Sequence, residues 1–83
     1  MNNMPKYKSH KTVNALEIKT SQANGFDLEI TYSDSGYENV VFKVPPEMKV
    51  RYEPKVGDFH VFYEDGYSSF SPRKAFLDGY TRM

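Results

Sequence analysis

Residues 63–80, YEDGYSSFSPRKAFLDGY, decide the fold class because each local signal within them agrees with the next. Asp65-Gly66 is a turn pair between two short segments that suit β-strands. Ser71-Pro72 is typical of a helix start, with the serine as the cap and the proline as the first helical residue. Gly79 is placed to end that helix in the left-handed conformation. The stretch therefore predicts a strand, a tight turn, a second strand and a short C-terminal helix.

Alternation of apolar and polar side chains predicts the strands that precede this stretch. Residues 26–32 alternate without a fault, so one face of this strand should be buried and the other solvated. Asn24-Gly25 stands before it and is the preferred pair for a type I′ hairpin turn. Weaker patterns predict strands at residues 13–20 and 40–44, with a short helix over residues 12–16 as the alternative to the first.

Residues 59–64 predict a strand that is covered on both of its faces. Phe59 and Val61 lie on one side of such a strand, and Phe62 is apolar on the other side. Before this strand, residues 46–52 are typical of one or two helical turns, because proline suits a first helical position.

These segments predict an α+β, mainly β protein with a small five-stranded antiparallel sheet or an SH3-like barrel and a short C-terminal helix. We expect residues 1–12 to form a flexible basic arm and residues 13–83 to form a single β-rich domain. A chain of 83 residues is short enough for one domain to account for all of it.

The composition bounds the possible partners and the compartment. Eleven basic and eleven acidic side chains give a formal net charge of zero, so attraction of the whole molecule to nucleic acid or to an anionic membrane is not expected. The chain contains no cysteine, which excludes disulfides and zinc sites built on thiolates. It shows no signal-peptide pattern and no apolar run long enough to span a membrane, so we expect a cytoplasmic protein.

No motif in the sequence predicts catalysis. Ser71 and Lys74 match the short Ser-x-x-Lys pattern of serine acyl-enzymes, but the partner motifs of that class are missing and a helix cap is the better interpretation. His10 and His60 are the only histidines, and they show no metal-ligand spacing. We therefore expect no enzyme activity, no metal and no cofactor.

The start of the C-terminal helix is the first candidate for a binding site. Arg73 and Lys74 add two positive charges where the helix end is already electropositive, which suggests that it meets a phosphate or a partner's carboxylate. The alternative is that Glu64 and Asp65 lie nearby, or that both cations point into solvent. Exposed tyrosines next to arginine are typical of binding surfaces. The predicted partner-binding residues are Asp65, Tyr67, Ser71, Arg73, Lys74 and Tyr80.

The basic arm supports a second hypothesis, nucleic-acid binding by a small barrel. Small barrels bind single strands through stacked rings and cationic grooves, and the arm interleaves one tyrosine with several cations. The residues concerned are Lys6, Tyr7, Lys8 and Lys11.

Both ends of the chain carry segments of a recognisable pattern. They are KYKSHKTV at residues 6–13 with ALEI at residues 15–18, and YEDGYSSFSP at residues 63–72 with Ala75-Phe76 and Gly79-Tyr80. These segments resemble those of a group of small proteins encoded by tailed bacteriophages and prophages. The resemblance implies a location in the bacterial host cytoplasm during infection, or in a virion, and it supplies no catalytic residues.

We therefore expect a non-catalytic accessory protein that acts by binding a protein partner of unknown identity, such as a host factor or an anti-phage defence factor. A nucleic-acid-binding barrel and a virion structural subunit are the alternatives. Open sheet edges are a second possible route to a partner, because a partner can add a strand to them.

Overall fold

The computed structural model of the chain describes residues 4–8 and 12–83. Within these ranges the chain forms seven strands and two short helices. In chain order they are β1 (Lys6–Lys8), β2 (Thr12–Asn24), β3 (Asp27–Tyr32), β4 (Phe42–Val44), α1 (Pro46–Arg51), β5 (Phe59–Phe62), β6 (Ser68–Ser71), α2 (Arg73–Gly79) and β7 (Thr81–Arg82).

The long strand β2 organises the antiparallel sheet. One of its edges pairs first with β1 and then with β3, and the other edge pairs with β5. β4 continues the sheet beyond β3, β6 continues it beyond β5, and β7 pairs with β1. The register shifts between Ile18 and Thr20, where β2 passes from one set of partners to the other. Such an irregularity bends a strand and increases its twist.

The α+β, mainly β class is confirmed, and two details of the prediction are corrected. Within the described residues the sheet has seven strands rather than five, and it does not close into a barrel. The C-terminal helix and the helical turns after Pro45 are both present. Residues 12–16 belong to β2, so the alternative of a helix there is wrong.

The prediction of a flexible basic arm is wrong for Lys6–Lys8. These residues form β1, which lies between β2 and β7 and pairs with both. The sequence signal was missed because one buried side chain between two lysines is too short a pattern to distinguish a strand from a polar tail. Residues 1–3 and 9–11 of the predicted arm lie outside the described residues, and Lys11 is among them.

The apolar residues form two clusters on opposite faces of the strand pair β2–β5. The first lies between β2, β3, β4 and β5, and its buried members include Leu16, Ile18, Leu28, Ile30, Tyr32 and Val44. The second lies under α2 and comprises Tyr7, Val13, Ala15, Phe59, Val61 and Phe76. Phe59 and Val61 belong to the second cluster while Phe62 packs against the first, which confirms that β5 is covered on both faces.

The hairpin between β2 and β3 differs from its prediction by one residue. Asn24 pairs with Asp27, so the loop consists of Gly25 and Phe26. Gly25 has a φ of 67°, whereas Phe26 does not have positive φ, because within the described residues only glycines do. A positive φ at the first loop residue alone is the pattern of a type II′ turn, since type I′ requires it at both residues. Phe26 therefore stands in the turn, fully exposed, instead of beginning the buried face of the strand.

Candidate partner-binding site

The turn between β5 and β6 carries two of the predicted binding residues in a defined conformation. Tyr63 N–H donates to the Tyr67 carbonyl over 2.9 Å, which closes a three-residue loop. Gly66 supplies the positive φ of 92° that such a loop requires. The Asp65 carboxylate accepts the Tyr67 N–H over 3.0 Å, and the Tyr67 side chain is 67% exposed. The turn thus presents an exposed ring on a backbone that is held by these two hydrogen bonds and by the conformation of Gly66.

A groove begins at this turn and continues along β6. Its first part has a volume of about 550 Å³ and is lined by the turn, by Arg51 and by the start of β2. Its second part has a volume of about 230 Å³ and lies between β6 and the residues Met48, Arg51 and Tyr52. Arg51, Ser68 and Ser69 line both parts, so we treat the two as one feature and call it the β6 groove.

β6 offers its outer backbone edge to this groove. Within the described residues β6 pairs only with β5. In an antiparallel pair, every second pair of opposite residues exchanges backbone hydrogen bonds. Tyr63 and Tyr67 form such a pair, so the backbone N–H and C=O groups of Ser69 and Ser71 also point toward β5. The N–H and C=O groups of Ser68 and Phe70 consequently point away from β5.

His60 fixes β6 to the core beneath the groove. Its ring is fully buried, with Nδ1 2.8 Å from the Tyr32 hydroxyl and Nε2 3.0 Å from the Ser68 hydroxyl. The Phe62 and Phe70 rings lie 4.2 and 4.7 Å from its centroid. Burial lowers the pKa of His60 to about 4, because an apolar surrounding disfavours the charged imidazolium. In the described ranges no three metal-ligating side chains converge.

The backbone at the start of α2 donates a hydrogen bond to a carboxylate of the same chain. Asp58 is buried, and its Oδ1 accepts the Arg73 N–H over 3.1 Å. Its Oδ2 accepts the Tyr52 hydroxyl over 2.8 Å and the Lys55 N–H over 2.9 Å. The predicted free anion site at this helix end is therefore corrected, since Asp58 already provides the anion.

The predicted helix signals around α2 need three further corrections. Ser71 belongs to β6, and its hydroxyl donates to the Pro72 carbonyl instead of capping the helix. Pro72 is the residue before the first helical residue, Arg73. Gly79 is the last helical residue and does not have positive φ, so the C-cap is Tyr80 in an extended conformation rather than a left-handed glycine.

The two cations of α2 are paired with acids that differ from the expected ones. The Arg73 guanidinium donates to Glu17 over 2.9 Å and to the Gly57 carbonyl over 3.1 Å. Lys74 lies 3.1 Å from Asp78, one turn further along the helix. Both ion pairs are substantially exposed, so each contributes little to stability.

The structure does not bring the six predicted binding residues into one site. Asp65 and Tyr67 lie at the turn end of β6, while Ser71 and the two cations lie at its opposite end. Tyr80 stacks on Phe76 at 4.8 Å and is half-buried against the second apolar cluster. Only the turn pair belongs to the β6 groove.

Sequence reasoning missed Arg51 and the edge character of β6. The signal for the edge was present, because the four residues of β6 read SSFS and carry three serines. A short strand with polar side chains is typical of a sheet edge. Arg51 lines the groove because of the position of α1 in the fold, and no local sequence pattern encodes that position.

The residues of the nucleic-acid hypothesis do not share one exposed surface. Tyr7 is buried, with the Phe59 and Phe76 rings 5.6 and 4.8 Å from its own, and burial raises its pKa. It therefore cannot stack on a base. Lys6 and Lys8 are exposed on β1.

No family model, no curated protein and no solved structure matches this chain. In residues 4–8 and 12–83, neither helix has the length and apolar character that crossing a membrane requires.

Proposed function

We propose that this protein is a non-catalytic binding module that takes up an extended segment of a partner protein along the outer edge of β6. The observation that carries the proposal is the coincidence of an open strand edge with a groove. The outward N–H and C=O groups of Ser68 and Phe70 lie where the groove follows β6. Main-chain hydrogen bonds to such an edge supply affinity in strand addition.

The groove also supplies side-chain contacts on both sides of a bound segment. One part presents Tyr63 and Tyr67 together with the acidic turn, and the other presents Met48 and Tyr52. Arg51 stands at the junction of the two parts. Aromatic, methionine and arginine side chains are enriched at protein interfaces. Alternate side chains of an added strand would enter the two parts, since they point to opposite faces.

The resemblance to phage and prophage proteins supports a partner from the bacterial host, such as a host factor or a component of anti-phage defence, and a cytoplasmic site of action. A protein that intercepts a partner in this way requires no reactive centre of its own. The burial of Tyr7 counts against the nucleic-acid alternative, because it removes the ring that stacking needs.

Two substitutions test this proposal by altering the groove in different ways. Ser68→Pro removes an outward N–H that the ladder with β5 does not use, as proline does on natural edge strands. It also removes the hydroxyl that lies 3.0 Å from His60 Nε2, so Ser68→Ala, which removes only that hydroxyl, is included as its control. Arg51→Glu reverses an exposed charge that lines both parts of the groove. Wild-type protein and both variants are immobilised, and the proteins that they retain from bacterial lysate are compared. We expect a specific protein to bind wild type and to be lost from both variants.

Lys8→Glu provides the matched control, because Lys8 is an exposed cation on β1 and does not line the groove. It should retain the partner. Thermal melts of all these proteins show whether the fold is intact. Retention of the same proteins by the two groove variants would contradict the edge as the binding site. Recovery of nucleic acid alone from wild type would favour the alternative function.

A further inference from the structure

The tip of the β2–β3 hairpin presents an apolar surface that is not part of the β6 groove. Phe26 is fully exposed and Val50 of α1 is 85% exposed, and both line a groove of about 410 Å³. Val44 and Pro46 contribute further apolar lining. We call this feature the Phe26 patch. Contiguous exposed apolar residues are typical of an interaction site, so this patch indicates a partner.

The ring is held out by a stiff support. Asn24 pairs with Asp27 directly beside the turn, so the ladder continues to the last residue before the tip. Gly25 adopts the positive φ that a type II′ turn needs at its first position. A ring on such a support loses little conformational freedom on binding, which favours association.

We propose that the Phe26 patch joins two copies of this chain through a two-fold interface. The patch contains both a protruding ring and an apolar groove, so one copy can place its Phe26 in the groove of the other and receive that copy's ring in return. A two-fold interface requires such self-complementarity. The charges agree, because Lys49 and the acids Asp27 and Glu53 line the same groove. A copy rotated by half a turn can place its lysine against the acids of the first copy.

Sedimentation of the purified chain over a range of about 10 µM to about 1 mM tests this proposal, because an interface of modest area dimerises weakly. We expect wild type to dimerise within this range and Phe26→Ser to weaken dimerisation by at least about 100-fold, since each dimer buries two rings. Val56→Ser is the control, because Val56 is 67% exposed and does not line the groove. It should dimerise as wild type does.

A charge exchange gives a second measurement that does not depend on the ring. Lys49→Glu makes the rim wholly acidic apart from the Lys43 that pairs with Asp27, and Glu53→Lys makes it more basic. Each variant alone should dimerise more weakly than wild type, whereas an equimolar mixture should form the mixed dimer. A monomeric wild type throughout the range, equal dimerisation of wild type and Phe26→Ser, or a mixture that associates no better than its components would overturn the proposal.

Discussion

Acidification should destabilise this protein through His60 at pH values where most carboxylates are still ionised. Burial lowers the pKa of His60 to about 4, whereas an unfolded chain gives histidine its ordinary value of about 6.5. Between these two values the unfolded state binds a proton that the folded state does not. Stability is therefore unaffected above about pH 6.5 and falls as the pH drops through the window toward 4.

The size of the effect follows from the width of that window. Each pH unit within it contributes about 1.4 kcal/mol, so the free energy of unfolding should decrease by about 2 kcal/mol between pH 7.5 and pH 5.0. For a domain of this length that corresponds to a fall in Tm of roughly 8–16 °C. Thermal and urea melts followed by circular dichroism at the two pH values measure the difference.

Two variants separate His60 from the other titrating groups. His60→Gln can still bond to the Tyr32 and Ser68 hydroxyls but does not titrate, so most of the pH dependence should disappear even though the variant is less stable. His10→Gln replaces the only other histidine and should keep the wild-type dependence. If His60→Gln retains the full dependence, or if the imidazole proton of His60 titrates near pH 6.5 by NMR, the reasoning is wrong.

Three further predictions concern residues whose contacts or backbone conformation the structure defines. Asp58→Ala should lower the free energy of unfolding by about 3–5 kcal/mol, because it leaves three donors without their acceptor. Chemical denaturation measures this loss. Asp78→Ala is the control and should be nearly neutral, because Asp78 is exposed. Tyr7→Ala should lower the free energy of unfolding by about 3–5 kcal/mol as a core truncation, whereas Lys6→Ala should change it by no more than about 0.5 kcal/mol. Equal effects in chemical denaturation would contradict the burial of the Tyr7 side chain. Gly66→Ala should lower the free energy of unfolding by about 1–2 kcal/mol because of the positive φ, although a Cβ would contact no other atom within 4 Å. An unchanged Tm would refute this.

Local alternation predicted the strands whose own residues carry a clear pattern of apolar and polar side chains. The two-faced pattern of residues 59–62 indicated a strand covered on both sides, and the structure places it between the two apolar clusters. Residues 27–32 form β3 as expected, because period-two alternation survives wherever one face of a sheet is buried.

The misplaced features depend on contacts between distant parts of the chain. Asp58 reaches the start of α2 from fifteen residues away, and no pattern near Arg73 reveals that contact. Lys6–Lys8 becomes a strand only because β2 and β7 lie on either side of it. Phe26 looked like the first buried residue of a strand, and only the register of the hairpin places it in the turn.

The pairing of β1 with β7 joins segments that lie far apart in the sequence. Tyr7 lies opposite Arg82, and the Met83 N–H donates to the Lys6 carbonyl over 3.0 Å. During synthesis the outer side of β1 therefore stays unpaired until residues 81–83 have left the ribosome. Contacts between segments that are distant in sequence form slowly, so we expect the β1–β7 pairing to be the last part of the sheet to form. Until then, the unpaired edge of β1 in a nascent chain can pair with a strand of another chain.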